Sequence, residues 1–140
     1  MLEIEKELEL NDFYEVLFEV KKIKLSNTLL QRVTNSHTFL SYFSKNKVIY
    51  GVNTGFVPMS QNKIEDNDRI QLQYNLIRRH AAGSGNPLPK VYVKSAMLAR
   101  LNTLCLGYSG VHPSVVKLMV ELINRDIIPL IYSHGGVGAS

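Results

Sequence analysis

Sulfur chemistry has almost no place in this chain. Cys105 is the one cysteine among 140 residues, so no intrachain disulfide can form and no cysteine-based metal site is suggested. A reduced, cytoplasmic setting is the expectation. Long apolar runs are missing too, and no stretch suits a membrane-spanning helix. The opening residues, Met1-Leu2-Glu3-Ile4-Glu5-Lys6-Glu7, alternate apolar and acidic, unlike a secretory signal. Basic clusters are scarce: Lys21-Lys22 and Arg78-Arg79 are the only adjacent pairs. Without a basic run interleaved with aromatics, the net charge of +4 reads as solvated surface and not as a nucleic-acid footprint. The 4 histidines are scattered, with no acidic cluster at ligand spacing, so no metal is expected. Gly83-Ser84-Gly85 lacks the Gly-Lys-Ser/Thr that a phosphate loop needs.

What the chain does have is enough apolar residue, 45%, for a core. Charge is uneven: residues 1–25 carry seven acids and four bases, whereas residues 26–140 carry five acids and twelve bases. Residues 2–10 read as a short edge strand or an arm. Asn11-Asp12 can cap a short helix over Phe13–Lys21, and Lys22–Leu25 alternates as a strand. Ser26 caps a long helix to about Lys45, with Leu29, Leu30, Val33, Leu40 and Phe43 as its stripe. His37 falls on the polar side of that helix and reads as a surface residue. Val48-Ile49-Tyr50 is a brief extended piece before a Gly-bounded loop, Gly51 to Pro58.

A second long helix runs from Asp66 or Asp68 to Ala82, acidic at its start and basic at its end, as the macrodipole favours. Gly83 to Pro87 breaks it. Two further helices, Lys90–Leu106 and one from Pro113 onward, are apolar on most faces. Such helices call for burial on all sides. The chain therefore reads as one domain belonging to a larger body or to a subunit assembly.

Four segments carry the chemistry, and a tail completes them. They are Tyr50-Gly51-Val52-Asn53-Thr54-Gly55-Phe56, then Leu72 to Gly85 with Arg78-Arg79-His80-Ala81-Ala82-Gly83 at its heart. Ala99-Arg100-Leu101-Asn102-Thr103-Leu104 and Gly107-Tyr108-Ser109-Gly110-Val111-His112-Pro113 follow. The chain then closes on Gly135-Gly136-Val137-Gly138-Ala139-Ser140. Read alone, Tyr50 is a packed aromatic whose ordinary pKa near ~10 makes it a poor base, and His80 is a helix-end residue.

In this order and at these spacings, the segments resemble the histidine branch of the aromatic amino-acid ammonia-lyases, over roughly Val48 to Ser140. The resemblance implies a mainly α fold with a few short β-strands, the N-terminal part of the helical ammonia-lyase (aspartase/fumarase-like) fold. It implies a methylidene-imidazolone electrophile built from an Ala-Ser-Gly tripeptide, no metal, an amino-acid substrate and a homotetramer. The reaction implied is elimination of ammonia from L-histidine to give urocanate. Carried over by position, Tyr50 matches the catalytic tyrosine, and Ala139 and Ser140 match the electrophile's first two residues. His80 matches the histidine that contacts the substrate side chain. Asn53, Thr54 and Gly55 shape the tyrosine loop, and Asn53 and Gly55 are placed beside the substrate.

The departures are Val57-Pro58 where the family has a glycine, Arg79 where it has serine, and Gly136 where it has serine. The chain stops one residue short of the tripeptide. The expectation is thus a fragment, residues 1–140, that is inactive alone and self-associates through uncovered apolar surface. Other readings are a tyrosine or phenylalanine ammonia-lyase, an aminomutase, or a non-catalytic domain that keeps the fold.

Overall fold

The computed structural model describes residues 1–49, 52–54 and 66–135. Its described elements, in order, are β1 (Leu2–Ile4), α1 (Leu10–Leu17), β2 (Ile23–Leu25) and α2 (Asn27–Phe43), the last followed by a 3₁₀ turn, Ser44–Asn46. Then come α3 (Asp66–His80), β3 (Gly83–Pro87), α4 (Lys90–Cys105), α5 (Pro113–Asn124) and β4 (Tyr132–Gly135). The mainly helical character with short strands agrees with the sequence reading. The chain divides into two compact units: residues 1–41 with 88–131, and residues 42–87 with 132–140.

The first unit holds the core. The N-terminal arm is a strand: β1 pairs in parallel with β2, Leu2 opposite Ile23 and Ile4 opposite Leu25. The Asn124 amide clamps the free side of β2, accepting the Ile23 N–H at 2.8 Å and donating to the Ile23 carbonyl at 2.8 Å. It thereby stands in for a third strand at an otherwise unsatisfied edge. α1 starts earlier than the sequence suggested. Its entry is closed by Asp12, whose carboxylate accepts the Glu9 N–H at 2.8 Å. α2 begins where expected, with Ser26 Oγ accepting the Leu29 N–H at 3.2 Å. α5 starts with Pro113, and the His112 ring accepts the Ser114 N–H at 3.2 Å as its cap.

These elements close around Ile4, Val16, Ile23, Leu29, Val33, Leu98, Leu101, Leu104, Cys105, Val116 and Ile123. α4 contributes Leu98, Leu101, Leu104 and Cys105 at helical spacing, the central wall against which α1 and α5 pack. Burying each such side chain fully contributes about 1.5–3 kcal/mol. α4 and α5 are not covered on all sides, however: Tyr92 and Leu118 stand exposed.

In the second unit the sequence reading needs correction. Gly83 to Pro87, read as a helix-breaking loop, is β3, and it pairs antiparallel with β4. Gly83 faces Gly135, Ser84 faces His134 and Pro87 faces Tyr132, so β3 carries one extra residue between Ser84 and Pro87. Gly85 takes up that bulge at φ +83°, a conformation that favours glycine. In a two-stranded ribbon each strand is an edge, which is why Pro87 is tolerated. Turn-forming residues therefore make a strand here, because the bulge uses them.

Candidate functional site

Six residues were singled out by sequence: Tyr50, Asn53, Gly55, His80, Ala139 and Ser140. Tyr50, Gly55, Ala139 and Ser140 lie outside the described residues, as do Phe56, Val57, Pro58 and Gly136. Asn53 and His80 are placed, together with the chain that leads to the others.

Asn53 is 3% exposed. Its Oδ1 accepts the Ile49 N–H at 2.7 Å, and its Nδ2 donates to the carbonyls of Ser44 at 3.0 Å and Lys47 at 2.7 Å. The main chain closes on itself at the same place: the N–H groups of Val52 and Asn53 both donate to the Ile49 carbonyl, at 3.1 and 3.2 Å. Residues 49 and 53 are thus tied together, and the tie is anchored to the 3₁₀ turn behind α2. Lys47 Nζ also sits 3.9 Å from the Phe43 ring centre, a cation–π contact.

His80 is the last residue of α3 and is exposed. Its Nδ1 lies 2.7 Å from the Leu76 carbonyl. A carbonyl only accepts, so Nδ1 carries the proton and a neutral ring offers its Nε2 lone pair outward. Arg79 beside it is exposed, and Arg78 lies over the Tyr74 ring at 5.7 Å. α3 thus ends with cations against its negative dipole end.

The ribbon supplies the link between His80 and the tail. Gly83 pairs with Gly135 in an antiparallel register. The chain enters β3 through Ala82, two residues after His80, at the ribbon end where β4 finishes before residues 136–140. A side chain at Gly135 would meet the Ala82 carbonyl at 3.8 Å, so the two crossings are neighbours. An open cleft of about 380 Å³ lies along this end, lined by Ala82, Gly83, Ser84, His134 and Gly135. His134 is on β4, and Ser133 Oγ lies 3.1 Å from its Nδ1. Nothing in the sequence marked His134 or Ser84 as cleft residues, because the bulge that sets their register has no hydrophobic alternation to betray it. Ala82, Gly83, Ser84 and Gly135 leave most of the cleft wall without large side chains.

The other two sequence segments build scaffold instead. Asn102 Oδ1 accepts the Leu8 N–H at 3.0 Å. Gly110 is gripped at both main-chain groups by α2: its N–H donates to Ser36 Oγ at 3.1 Å, and its carbonyl accepts from His37 Nδ1 at 3.0 Å. His37 is therefore half-buried at a helix–loop junction, where sequence had placed it on the surface, and its ring stands edge-on to His112 at 4.9 Å. A larger groove of about 950 Å³ runs along α2, lined by Arg32, Asn35 and Tyr108 among others, and holds none of the six singled-out residues. Among the described residues no group of three or more metal-ligating side chains occurs.

The model of the aromatic amino acid lyase family matches residues 8–140. A probable histidine ammonia-lyase of Thermoplasma acidophilum is 42% identical over 142 aligned positions, covering 100% of this chain and 29% of that protein. Among solved structures, the phenylalanine aminomutase of Pantoea agglomerans is similar with a TM-score of 0.87 at 28% identity, over 98% of this chain and 27% of its own. The histidine ammonia-lyase of Trypanosoma cruzi is similar with a TM-score of 0.82 at 27% identity, again over 98% of this chain and 27% of its own. The chain spans less than a third of the length of each.

Proposed function

We propose, because this chain belongs to the aromatic amino acid lyase family, that it is part of an enzyme that eliminates ammonia from L-histidine to give urocanate. The observation that carries this reading is the β3–β4 ribbon. It brings the approach to His80 and the approach to Ala139-Ser140 to one end of one pair of strands.

Ala139 and Ser140, followed by a glycine, would hold the family's methylidene-imidazolone, which would supply the electrophile that makes the substrate's amine a leaving group. The chain's own residues do the rest. His80, with Nδ1–H held by the Leu76 carbonyl, presents a lone pair at Nε2. A substrate imidazole can donate its N–H to that lone pair, and a phenyl ring cannot, which is the kind of difference that discriminates strongly. Tyr50 takes the proton from the substrate's β carbon. Gly55 completes the tyrosine loop, and Asn53 holds its base. Arg79 places a permanent cation beside His80, suited to a substrate carboxylate. The working assembly in this reading is a cytoplasmic homotetramer.

The full-length protein that contains this chain, given L-histidine, L-tyrosine and L-phenylalanine in turn, is expected to release urocanate and little coumarate or cinnamate. Its intact mass is expected to fall short of the translated sequence by two waters, the signature of the cyclised tripeptide. An uncyclised mass would sink the reading. Release of cinnamate, coumarate or a β-amino acid in place of urocanate would favour the second reading, an aromatic lyase or aminomutase. The likeness to a phenylalanine aminomutase supports that alternative.

A further inference from the structure

Every hydrogen bond of the Asn53 side chain that the structure describes goes to main chain within nine residues of it. A primary amide has two N–H donors, and both are taken, by Ser44 and Lys47. The oxygen accepts from Ile49, the residue immediately before Tyr50. The side chain is buried, so these bonds are formed out of water, where leaving one unmade costs about 1–3 kcal/mol. Ile49 is held at both ends of its peptide unit, its N–H by the Asn53 amide and its carbonyl by the N–H groups of Val52 and Asn53. The anchors on the far side, Ser44 and Lys47, are the first residue of the 3₁₀ turn that follows α2 and the residue just after that turn.

We propose that Asn53 is a positioning residue for Tyr50, and not a ligand of the substrate. It ties Ile49 and Val52-Asn53, the described residues on either side of the tyrosine in sequence, to the turn that follows α2. This role departs from the sequence expectation that Asn53 contacts substrate, and it rests on the reading of Tyr50 as the base. The geometry also explains why the residue is asparagine. Aspartate can accept from Ile49 but cannot donate to Ser44 or Lys47, and it would set a buried charge against two carbonyl oxygens. Serine has one donor where two are needed.

The test uses the full-length protein with Asn53→Ala, Tyr50→Phe and the double substitution. Asn53→Ala is expected to lower kcat by about 100-fold through misplacement of the base, with KM within about twofold of the parent value. Its mass should keep the two-water deficit. On the Tyr50→Phe background, Asn53→Ala should cost little more, since the residue acts through the tyrosine. Amide hydrogen exchange at Ile49 and Val52 should accelerate while α4 and α5 stay protected. A fall confined to affinity would overturn the proposal and make Asn53 a substrate ligand. An unchanged kcat would also overturn it, as would unchanged exchange at Ile49 and Val52. If the parent protein acts on no aromatic amino acid, the lyase reading fails, and exchange at Ile49 and Val52 still decides whether Asn53 sets this turn.

Discussion

Cys105 sits in the core at 3% exposure, and burial pushes its thiol up to about 11. The Arg32 guanidinium pulls the other way, more weakly. An unfolded chain would ionise the same thiol near ~8.5. The folded state therefore holds the proton more tightly. The stability this contributes is complete below about pH 8.5 and is lost as pH rises toward 11. A thiolate is the reactive form, so the native chain at pH 8 is expected to react with a disulfide reagent far more slowly than the same chain in denaturant. Equal rates would mean that the thiol is not enclosed. Asn53, Asn102 and Asn124 carry the same residue-scale point for polar groups: each amide, buried in Asn53 and half-buried in the other two, is spent on a specific main-chain gap.

Among the elements, the connector between α4 and α5 is tightly constrained. Gly107 and Gly110 both have positive φ, at +78° and +63°. A methyl group on Gly110 would fall inside van der Waals contact of Leu40 Cδ2, while the N–H and carbonyl of the same residue are fixed by Ser36 and His37. The residue can neither rotate away nor accept a side chain. Gly110→Ala is expected to destabilise the chain by about 1–3 kcal/mol. Gly135→Ala, whose added carbon meets only a carbonyl at 3.8 Å, should cost far less. Denaturant midpoints of the two variants check this, and equal midpoints would refute it.

The elements that could be read from sequence were those with a period to read. α2, α4 and α5 repeat apolar residues at helical spacing, and α2 and α5 start at legible signals, Ser26 and Pro113. The ends of α2 and α4 fall within two residues of expectation. β3 and β4 could not be read, because Gly-Ser-Gly-Asn-Pro has no alternation and each strand exists only through its partner. The candidate site was legible as residue identities in order. Its geometry was not, since the register of Gly83 with Gly135 is set by pairing across about fifty residues of chain. His37 shows the same limit: the helical wheel put it outward, and only the fold of the connector brings Gly110 to it.

On the scale of the whole molecule, apolar surface is left open in both compact units. In one, α3 presents Ile70, Tyr74 and Ile77 at helical spacing, all exposed. In the other, Tyr92 on α4 and Leu118 on α5 are exposed. Single exposed hydrophobics are ordinary, but an aligned set on one helix is a contact surface. At about 25 cal/mol per Å² of apolar area removed from water, covering such a face works in favour of association and against the entropic cost of binding. The 140-residue chain is therefore expected to self-associate as its concentration rises, with a mass by light scattering above that of a monomer. Ile70→Lys with Ile77→Lys puts two charges on the α3 stripe, touches no buried residue, and should shift the chain toward monomer while leaving its helical content unchanged. A parent chain that stays monomeric at every concentration tested would show that the stripe is not sticky. Association that survives both lysines would move the contact to Tyr92 and Leu118.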